Sequence, residues 1–334
     1  MDIKQLETWY LSNHRKLSFR MTKNPYHIWV SEVMLQQTQV ETVLPYFERF
    51  IKIYPTVEAL ARANEETLHK DVEGLGYYRR FRHMLKAAQI IVDSSGKRFP
   101  DSYEGLLALP GVGKYTAGAI MSIAYNKPYS ALDGNVIRVL SRLLANDSDM
   151  REEKHRKSLD QYNQKMIESS TPEIYTQAMM ELGATVCRPK NPKCEVCPLQ
   201  RECIAFQTKT VHLYPNLSPL NQKKHEHYVT LIIHQNHQIM LRKRTESLLN
   251  DMYEYPQYEA ESIEYVLSML DDQGVQLSLI GEGKIIQHVF THKVWQMQVV
   301  HVKLTGNPMN DWISVDSDEV KQLPMAIAHR KIQV

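Results

Sequence analysis

The chain has 334 residues, of which 43% are hydrophobic and 23% charged, proportions that suit about two packed globular domains and exclude a disordered chain, a fibrous repeat or a disulfide scaffold. Mean hydropathy is −0.42, no apolar run reaches membrane-spanning length, and residues 1–7 lack the apolar core of a signal peptide, so the expected setting is the cytoplasm with no membrane contact. The net charge of +2 hides an asymmetry: residues 1–210 carry 29 Lys and Arg against 24 Asp and Glu, and the remainder carry 11 against 14, which permits an anionic partner for the front half without demanding one.

Helical spacing runs through residues 1–206. Asn24-Pro25, a capping residue followed by proline at the first helical position, opens a helix expected over 25–38. Phe81, Met84, Leu85, Ala88, Ile91 and Val92 repeat at helical spacing, with Gly96 as a stop. A helical segment at 102–108 and a small-residue helix at 114–126 flank a glycine-rich turn. Val136, Val139, Leu140, Leu143 and Leu144 mark another helix, and Thr171-Pro172 starts one that runs toward a cysteine cluster. An all-α domain is therefore expected over 1–206. Residues 207–226, with Pro215 and Pro219 among Asn, Ser, Gln and Lys, read as an interdomain linker. From 227 to 334 the pattern turns to strands at 228–233, 239–241 and 294–304, with a turn at 234–237 and a short helix near 261–271, which predicts an α+β domain.

Four segments carry candidate chemistry. Cys187, Cys194, Cys197 and Cys203 are all the cysteines in the chain. Clustered thiolates in one loop serve either a tetrahedral zinc ion or a cubane iron–sulfur cluster, and spacing alone favours zinc. Leu109-Pro110-Gly111-Val112-Gly113-Lys114-Tyr115 joins two helices. Its glycines allow close backbone approach, and the N-terminus of the next helix suits a DNA phosphate. An ordinary helical hairpin accounts for it equally well. Glu32 lies in a largely apolar helix and Asp133 before the helix that contains Val136. Such a pair could supply a general acid and a carboxylate facing a sugar cation, whereas a solvated helix face and an N-cap are the commoner uses of the two residues. Gly74-Leu75-Gly76-Tyr77-Tyr78-Arg79-Arg80-Phe81-Arg82 combines a glycine turn, two aromatics and three arginines. That set could hold a DNA backbone and wedge a base stack, or form a helix N-terminus with a solvated arginine face.

Taken together, NPYHIWVSEVMLQQTQVETVLPYFERF (24–50), GLGYYRR (74–80), LPGVGKYTAGAIMSIAYN (109–126), LDGNVIRVLSRLL (132–144), QAMMELGATVC (177–187) and the cysteine spacing closely resemble the MutY family of adenine DNA glycosylases, within the endonuclease III-like, helix–hairpin–helix superfamily. The resemblance is strong over 15–205 and weak beyond. It implies removal of adenine mispaired with 8-oxoguanine or guanine, from a base flipped out of duplex DNA. By motif, it makes Glu32 the acid that protonates the adenine ring and Asp133 the carboxylate that stabilises the sugar cation, with Tyr115 and Asn135 positioning them. Arg15, Leu17, Phe19, Arg20 and Gln177 match the adenine pocket. Leu35, Gln37 and Tyr77 match positions that enter the duplex, and Leu109, Gly111 and Gly113 match the DNA-binding hairpin. The four cysteines match a [4Fe-4S] ligand set, which reverses the preference for zinc.

Bifunctional relatives carry lysine at position 115. Lys114 is one residue off, and one step along a helix turns a side chain by about 100°. The resemblance therefore implies a monofunctional hydrolase. The C-terminal residues resemble the family's Nudix-fold (MutT-like) module without its acidic box, so recognition rather than hydrolysis is implied. Phe290, Thr291 and His292 match the 8-oxoguanine loop, in which serine is usual at the middle position. Ser18 and Phe19 replace the usual Pro-Trp, and Val72 stands where tryptophan is common. A monomer is expected. The rival readings are an endonuclease III-like glycosylase/lyase for oxidised pyrimidines, a non-catalytic damage-binding module and a Nudix pyrophosphatase.

Overall fold

The computed structural model describes residues 1–94, 98–219, 222–281, 283–290, 292–325 and 327–332. They divide into two compact units, Met1–Ala63 with Arg80–Pro219, and Asn64–Arg79 with Leu220–Val334. No described helix is long and apolar enough to cross a membrane.

In chain order the helices of the first 219 residues are α1 (Ile3–Asn13), α2 (Pro25–Leu35), α3 (Val40–Ile53), α4 (Val57–Ala61), α5 (Glu65–Asp71), α6 (Arg79–Ser94), α7 (Tyr103–Leu107), α8 (Lys114–Ile123), α9 (Gly134–Leu143), α10 (Glu153–Glu168), α11 (Pro172–Thr185) and α12 (Ile204–Gln207). No strand occurs among the described residues of this stretch. Helix α5 belongs to the second unit. In the first unit, α11 packs against α1, α8 and α9, and α2 packs against α3 and α8.

The central helix α2 is apolar on every side, as a helix enclosed by others must be. Ile28, Trp29, Val30, Val33 and Met34 are buried, and Glu32 is enclosed with them. It ends at Leu35, three residues short of the expected limit. Arg80 explains the stop. Its guanidinium is buried and donates to the carbonyls of Val33 (3.0 Å), Met34 (2.9 Å) and Gln36, and to the Thr38 hydroxyl (2.9 Å). It thus satisfies the carbonyls that a helix end leaves open. Gln37 then takes φ +59°, which no helix continues. One of the three arginines read as a DNA-facing or solvated set is therefore a helix cap. Helix α6 runs to Ser94, and the expected stop at Gly96 lies outside the described residues.

Residues 211–218, part of the expected linker, are tied to the first unit. Arg142 Nε donates to the carbonyls of Val211 (3.1 Å) and Tyr214 (3.0 Å), and the Asn216 amide donates to the Asp147 carbonyl (2.7 Å). The first strand then begins earlier than its periodicity suggested, at Lys224.

The strands of the second unit are β1 (Lys224–Gln235), β2 (Gln238–Lys243), β3 (Tyr253–Glu254), β4 (Gln257–Glu259), β5 (Leu277–Gly281), β6 (Ile285–Val289), β7 (Lys293–Leu304) and β8 (Trp312–Asp316). They form one mixed sheet, with β1 and β7 parallel at its centre from Lys224↔Lys293 to His234↔Lys303. The β1–β2 hairpin closes on Asn236 and His237, with Asn236 at φ +56°, the geometry that a two-residue turn needs. Strand alternation sends Val229, Leu231, Ile233, Val300 and Val302 to one face. There they pack with Val266 and Leu270 of α13 (Ile263–Asp272). Ile232, Leu241, Val299 and Tyr255 line the other face, and Trp295 and Met297 meet Ala328 of α14 (Ile327–Arg330).

Candidate active site

The N-termini of α8 and α9 and the middle of α2 and α11 bring the predicted residues to one cleft of about 520 Å³, within the ~300–1,000 Å³ range of small-molecule sites. Glu32, Tyr115, Asp133 and Asn135 line it with Arg15, Leu17, Phe19, Arg20, Gln177, Leu35 and Gln37. The first turn of α8 and the break between α2 and α3 both deliver residues here, and the named residues lie up to 162 positions apart in the sequence (Arg15 to Gln177).

Glu32 is 1% exposed. Tyr115 donates its hydroxyl hydrogen to Glu32 Oε2 at 2.5 Å. Arg20 Nη2 stands 2.7 Å from Glu32 Oε1, an ion pair whose angle lies outside that of a hydrogen bond. A buried carboxylate is tolerated only with such compensation. Burial works against the charge on Arg20 and Glu32 more than offsets it, so the guanidinium is held firmly protonated. Burial, with Glu32 and Asp133 alongside, raises the Tyr115 phenol well above its ordinary value of 10.0, so it stays a donor.

Asp133 is the N-cap of α9 and also faces the cleft. Its Oδ1 accepts from the Val136 N–H at 2.7 Å and its Oδ2 from the Asn135 amide at 2.9 Å. The common structural use and the catalytic reading thus describe the same residue. Burial lifts its carboxyl above the ordinary 3.8, against the pull of those hydrogen bonds, and nearby Glu32 adds to the lift. Asn135 is fixed in turn. Its Oδ1 accepts from Arg138 Nη2 at 2.7 Å, and the same guanidinium donates to the carbonyls of Gly183 (2.9 Å) and Cys187 (2.8 Å, from Nε). Gly183 gives α11 its approach: a Cβ there would sit 2.6 Å from the Asn135 Cβ.

The remaining pocket residues divide by what their polar atoms already do. Arg15 is engaged, with Nε and Nη2 donating to the two Glu181 oxygens at 2.8 and 2.9 Å. Gln177 donates to the Glu173 carbonyl at 3.2 Å while its buried Oε1 has no partner. Phe19 is buried edge-on against Phe47 at 5.8 Å and Leu17 is nearly buried. Sequence reasoning passed over Arg138, Glu181 and Gly183. The signal for Glu181 was present, since Gln177, Met180, Glu181 and Ala184 recur at helical spacing and all line the cleft. Nothing local marks Arg138 or Gly183, whose partners are distant in sequence.

Of the residues expected at the duplex, Gln37 is exposed at φ +59° and Leu35 is half-buried. In the second unit, Tyr77 is 50% exposed at φ +47°. In the hairpin between α7 and α8, Gly111 (φ +77°) and Gly113 are exposed while the Leu109 side chain is buried, so the glycine backbone is what faces outward. A Cβ on Gly111 would meet the His83 Cβ at 2.7 Å.

The four cysteines ring one cavity with Val139, Leu143, Leu182 and Phe206. Among the described residues, no three His, Cys, Asp or Glu side chains are placed as a metal-ion site. Burial and the neighbouring thiols raise Cys194 and Cys203, and lift Cys197 to about 12. A cationic group would be needed to hold them as thiolates. Arg142, buried beside them, donates to Cys187 Sγ at 3.4 Å and to the carbonyls of Arg188 (2.7 Å) and Pro189 (3.1 Å).

In the second unit, the Phe290 N–H closes a turn on the Lys293 carbonyl at 2.8 Å. The Phe290 ring meets Trp295 at 4.8 Å and His288 at 4.5 Å. Lys223 Nζ donates to the Phe290 carbonyl at 2.8 Å, and the Lys224 N–H to that of His292 at 3.3 Å. His292 is exposed, and Thr291 lies outside the described residues. Residues 245–252 form turns without a helix, with Leu249 and Asp251 at positive φ. Glu254, the acid that follows, is fully buried against Arg242, Arg244 and His329.

Residues 30–165 match the HhH-GPD superfamily of base excision DNA repair proteins and residues 228–333 match the NUDIX domain. The adenine DNA glycosylase of Buchnera aphidicola subsp. Acyrthosiphon pisum is 34% identical over 304 residues, 89% of this chain and 85% of that one. The adenine DNA glycosylase of Rattus norvegicus is 42% identical over 213 residues, 61% of this chain and 41% of that one. Among solved structures, a thermostable thymine-DNA glycosylase superimposes with a TM-score of 0.56 at 25% identity, covering 62% of this chain and 95% of its own. A non-covalent endonuclease III–DNA complex gives 0.53 at 25% identity, covering 62% and 94%.

Proposed function

The chain belongs to the adenine DNA glycosylases, base-excision enzymes that hydrolyse the N-glycosidic bond of adenine in DNA, and we propose that its target is adenine opposite 8-oxoguanine or guanine in duplex DNA. The observation that carries the mechanism is that a buried Glu32 and Asp133 line the same cleft. With the adenine flipped into that cleft, Glu32 delivers a proton to the base and so makes it a better leaving group. Glu32 enters this step as the neutral carboxyl and leaves it as the carboxylate, whose oxygens then face the Tyr115 hydroxyl and Arg20. As the C–N bond breaks, its electron pair leaves with the protonated base and positive charge develops on the sugar; the Asp133 carboxylate stabilises that charge until water adds at the anomeric carbon and releases a proton. Asn135 and the start of α9 hold that carboxylate in place. The unpartnered Gln177 Oε1 offers an acceptor to an adenine amino group.

The reading as a monofunctional hydrolase is supported by the hydroxyl at position 115, which lacks the amine that a Schiff base needs, and by Lys114, which lies outside the set that lines the cleft. Four cysteines lining one cavity supply the four thiolates that a cubane cluster needs, and we assign them to [4Fe-4S]; when bound, it would supply four iron–thiolate bonds that close the loop from Cys187 to Cys203. Phe290, Thr291 and His292 are assigned to the base opposite the adenine, with the chain acting as a monomer.

The test is single-turnover cleavage of a labelled duplex series holding A opposite 8-oxoguanine, A opposite G, A opposite T, and thymine glycol opposite A, each read with and without alkali. Strand breaks only after alkali, fastest for A opposite 8-oxoguanine, are expected. Breaks without alkali on thymine glycol would replace this reading with a glycosylase/lyase.

A further inference from the structure

Glu73 follows α5, in the segment Asn64–Arg79 that is part of the C-terminal unit although it lies inside the helical stretch of the sequence. Its partner is 257 residues away. Arg330, in α14, reaches both Glu73 oxygens, through Nε to Oε1 and through Nη2 to Oε2 at 3.3 Å. The same guanidinium donates to the carbonyls of Val320 (2.9 Å), Lys321 (3.2 Å) and Leu323. Lys70 completes the clamp, with Nζ 2.7 Å from Glu73 Oε2 and 2.5 Å from the Lys321 carbonyl. Neither member of the pair is a loose surface ion: the side chains are 16% and 24% exposed.

What the clamp holds is the turn that carries Tyr77. Directly after Glu73 come Gly74 (φ +99°), Leu75, Gly76 (φ +67°) and Tyr77 (φ +47°). Three left-handed residues in four make a conformation that a free loop would leave readily. The Gly74 N–H donates to the Tyr78 hydroxyl at 3.0 Å, and Tyr78 is buried. With Tyr78 anchored beneath and Glu73 pinned behind, Tyr77 is turned outward. A side chain that must push into a base stack needs a rigid support, and this one has it from Arg330.

We propose that Glu73–Arg330 is a positioning pair through which the C-terminal fold sets Tyr77, so that duplex opening depends on a unit other than the one holding Glu32 and Asp133. The proposal rests on the reading of Tyr77 as a residue that enters the duplex. It predicts that Glu73→Gln acts through Tyr77 alone.

The experiment is a double-mutant cycle in the full-length chain with Glu73→Gln, Tyr77→Ala and the pair together, and with Arg330→Gln as a second way to break the clamp. Two readouts are taken on A opposite 8-oxoguanine: the single-turnover rate at saturation, and the fluorescence of 2-aminopurine placed beside the target adenine, which rises on unstacking. Glu73→Gln and Arg330→Gln should each lower both readouts about fivefold or more and should add nothing further in the Tyr77→Ala background. Unchanged unstacking in both clamp variants, or losses that multiply with Tyr77→Ala, overturns the proposal. The wild-type arm keeps the two readings apart: loss of adenine excision there would defeat the assigned activity, whereas normal excision with an inert clamp defeats only this inference.

Discussion

Tyr115 and Glu32 meet across 83 residues of sequence, hydroxyl to carboxylate, at 2.5 Å. The phenol is pushed far above its usual range, so it cannot compete for the proton that Glu32 must deliver. Its part is to fix one carboxylate oxygen while Arg20 holds the other. A hydrogen bond to a charged partner contributes about 1.5–3 kcal/mol. Tyr115→Phe should therefore slow single-turnover excision by about 10- to 100-fold with duplex affinity unchanged. Glu32→Gln, which removes the acid, should cost about 10²- to 10⁴-fold. Wild-type rates in the Glu32→Gln variant would end the assignment of that residue.

The pH profile reports on Asp133. Its carboxyl is raised by burial and must be ionised to face a sugar cation. The acidic limb of kcat/KM should therefore lie above the ordinary carboxyl value of 3.8, with activity lost as pH falls through it. The Asn135 amide favours the ionised form, so its removal raises the pKa further. Asn135→Ala should move the acidic limb to higher pH, and a shift in the opposite direction would contradict the hydrogen-bond assignment.

Gly183 and Arg138 govern Asn135 from two sides. Gly183→Ala introduces a methyl group 2.6 Å from the Asn135 Cβ, and overpacking of this kind costs about 1–3 kcal/mol. Calorimetry should register that loss together with a fall in excision rate. Arg138→Gln removes the donor to Asn135 Oδ1 and to the Cys187 carbonyl. It should impair excision more than duplex binding.

For the thiol cavity, Cys197→Ser should remove the visible absorption of thiolate-bound iron and lower the melting temperature. A colourless wild-type chain that contains zinc would return the site to the reading that cysteine spacing alone favours.

For the second unit, Phe290→Ala should leave excision of A opposite G largely intact and reduce the rate advantage of A opposite 8-oxoguanine. An unchanged ratio between the two mismatches would remove Phe290 from the recognition role.

Much of this was legible because it is written locally. Helical periodicity, the Asn24-Pro25 start and the Asp133 cap rest on residues within a few positions of one another, and each element formed near its expected place. The end of α2 was not legible. It is set by Arg80, and nothing in residues 25–38 announces a guanidinium arriving from 42 or more positions away. Lys224 likewise joins β1 because β7 lies alongside, a parallel pairing with no local signature. In the cleft, Glu32 and Asp133 were readable through motif, while Arg138 and Gly183 matter only through contacts that folding creates. The membership of Asn64–Arg79 in the C-terminal unit belongs to the same class.

That membership has a consequence for the order of events at the ribosome. Helix α5 and the Tyr77 turn emerge first, and Arg330 follows Tyr77 by 253 residues. At about 5–20 residues per second, the segment waits on the order of 10 s for the residues that seat it. A nascent chain can thus complete the cysteine loop well before the Tyr77 turn has its support, and a chain cut short after Pro219 would keep Glu32 and Asp133 yet never acquire that support.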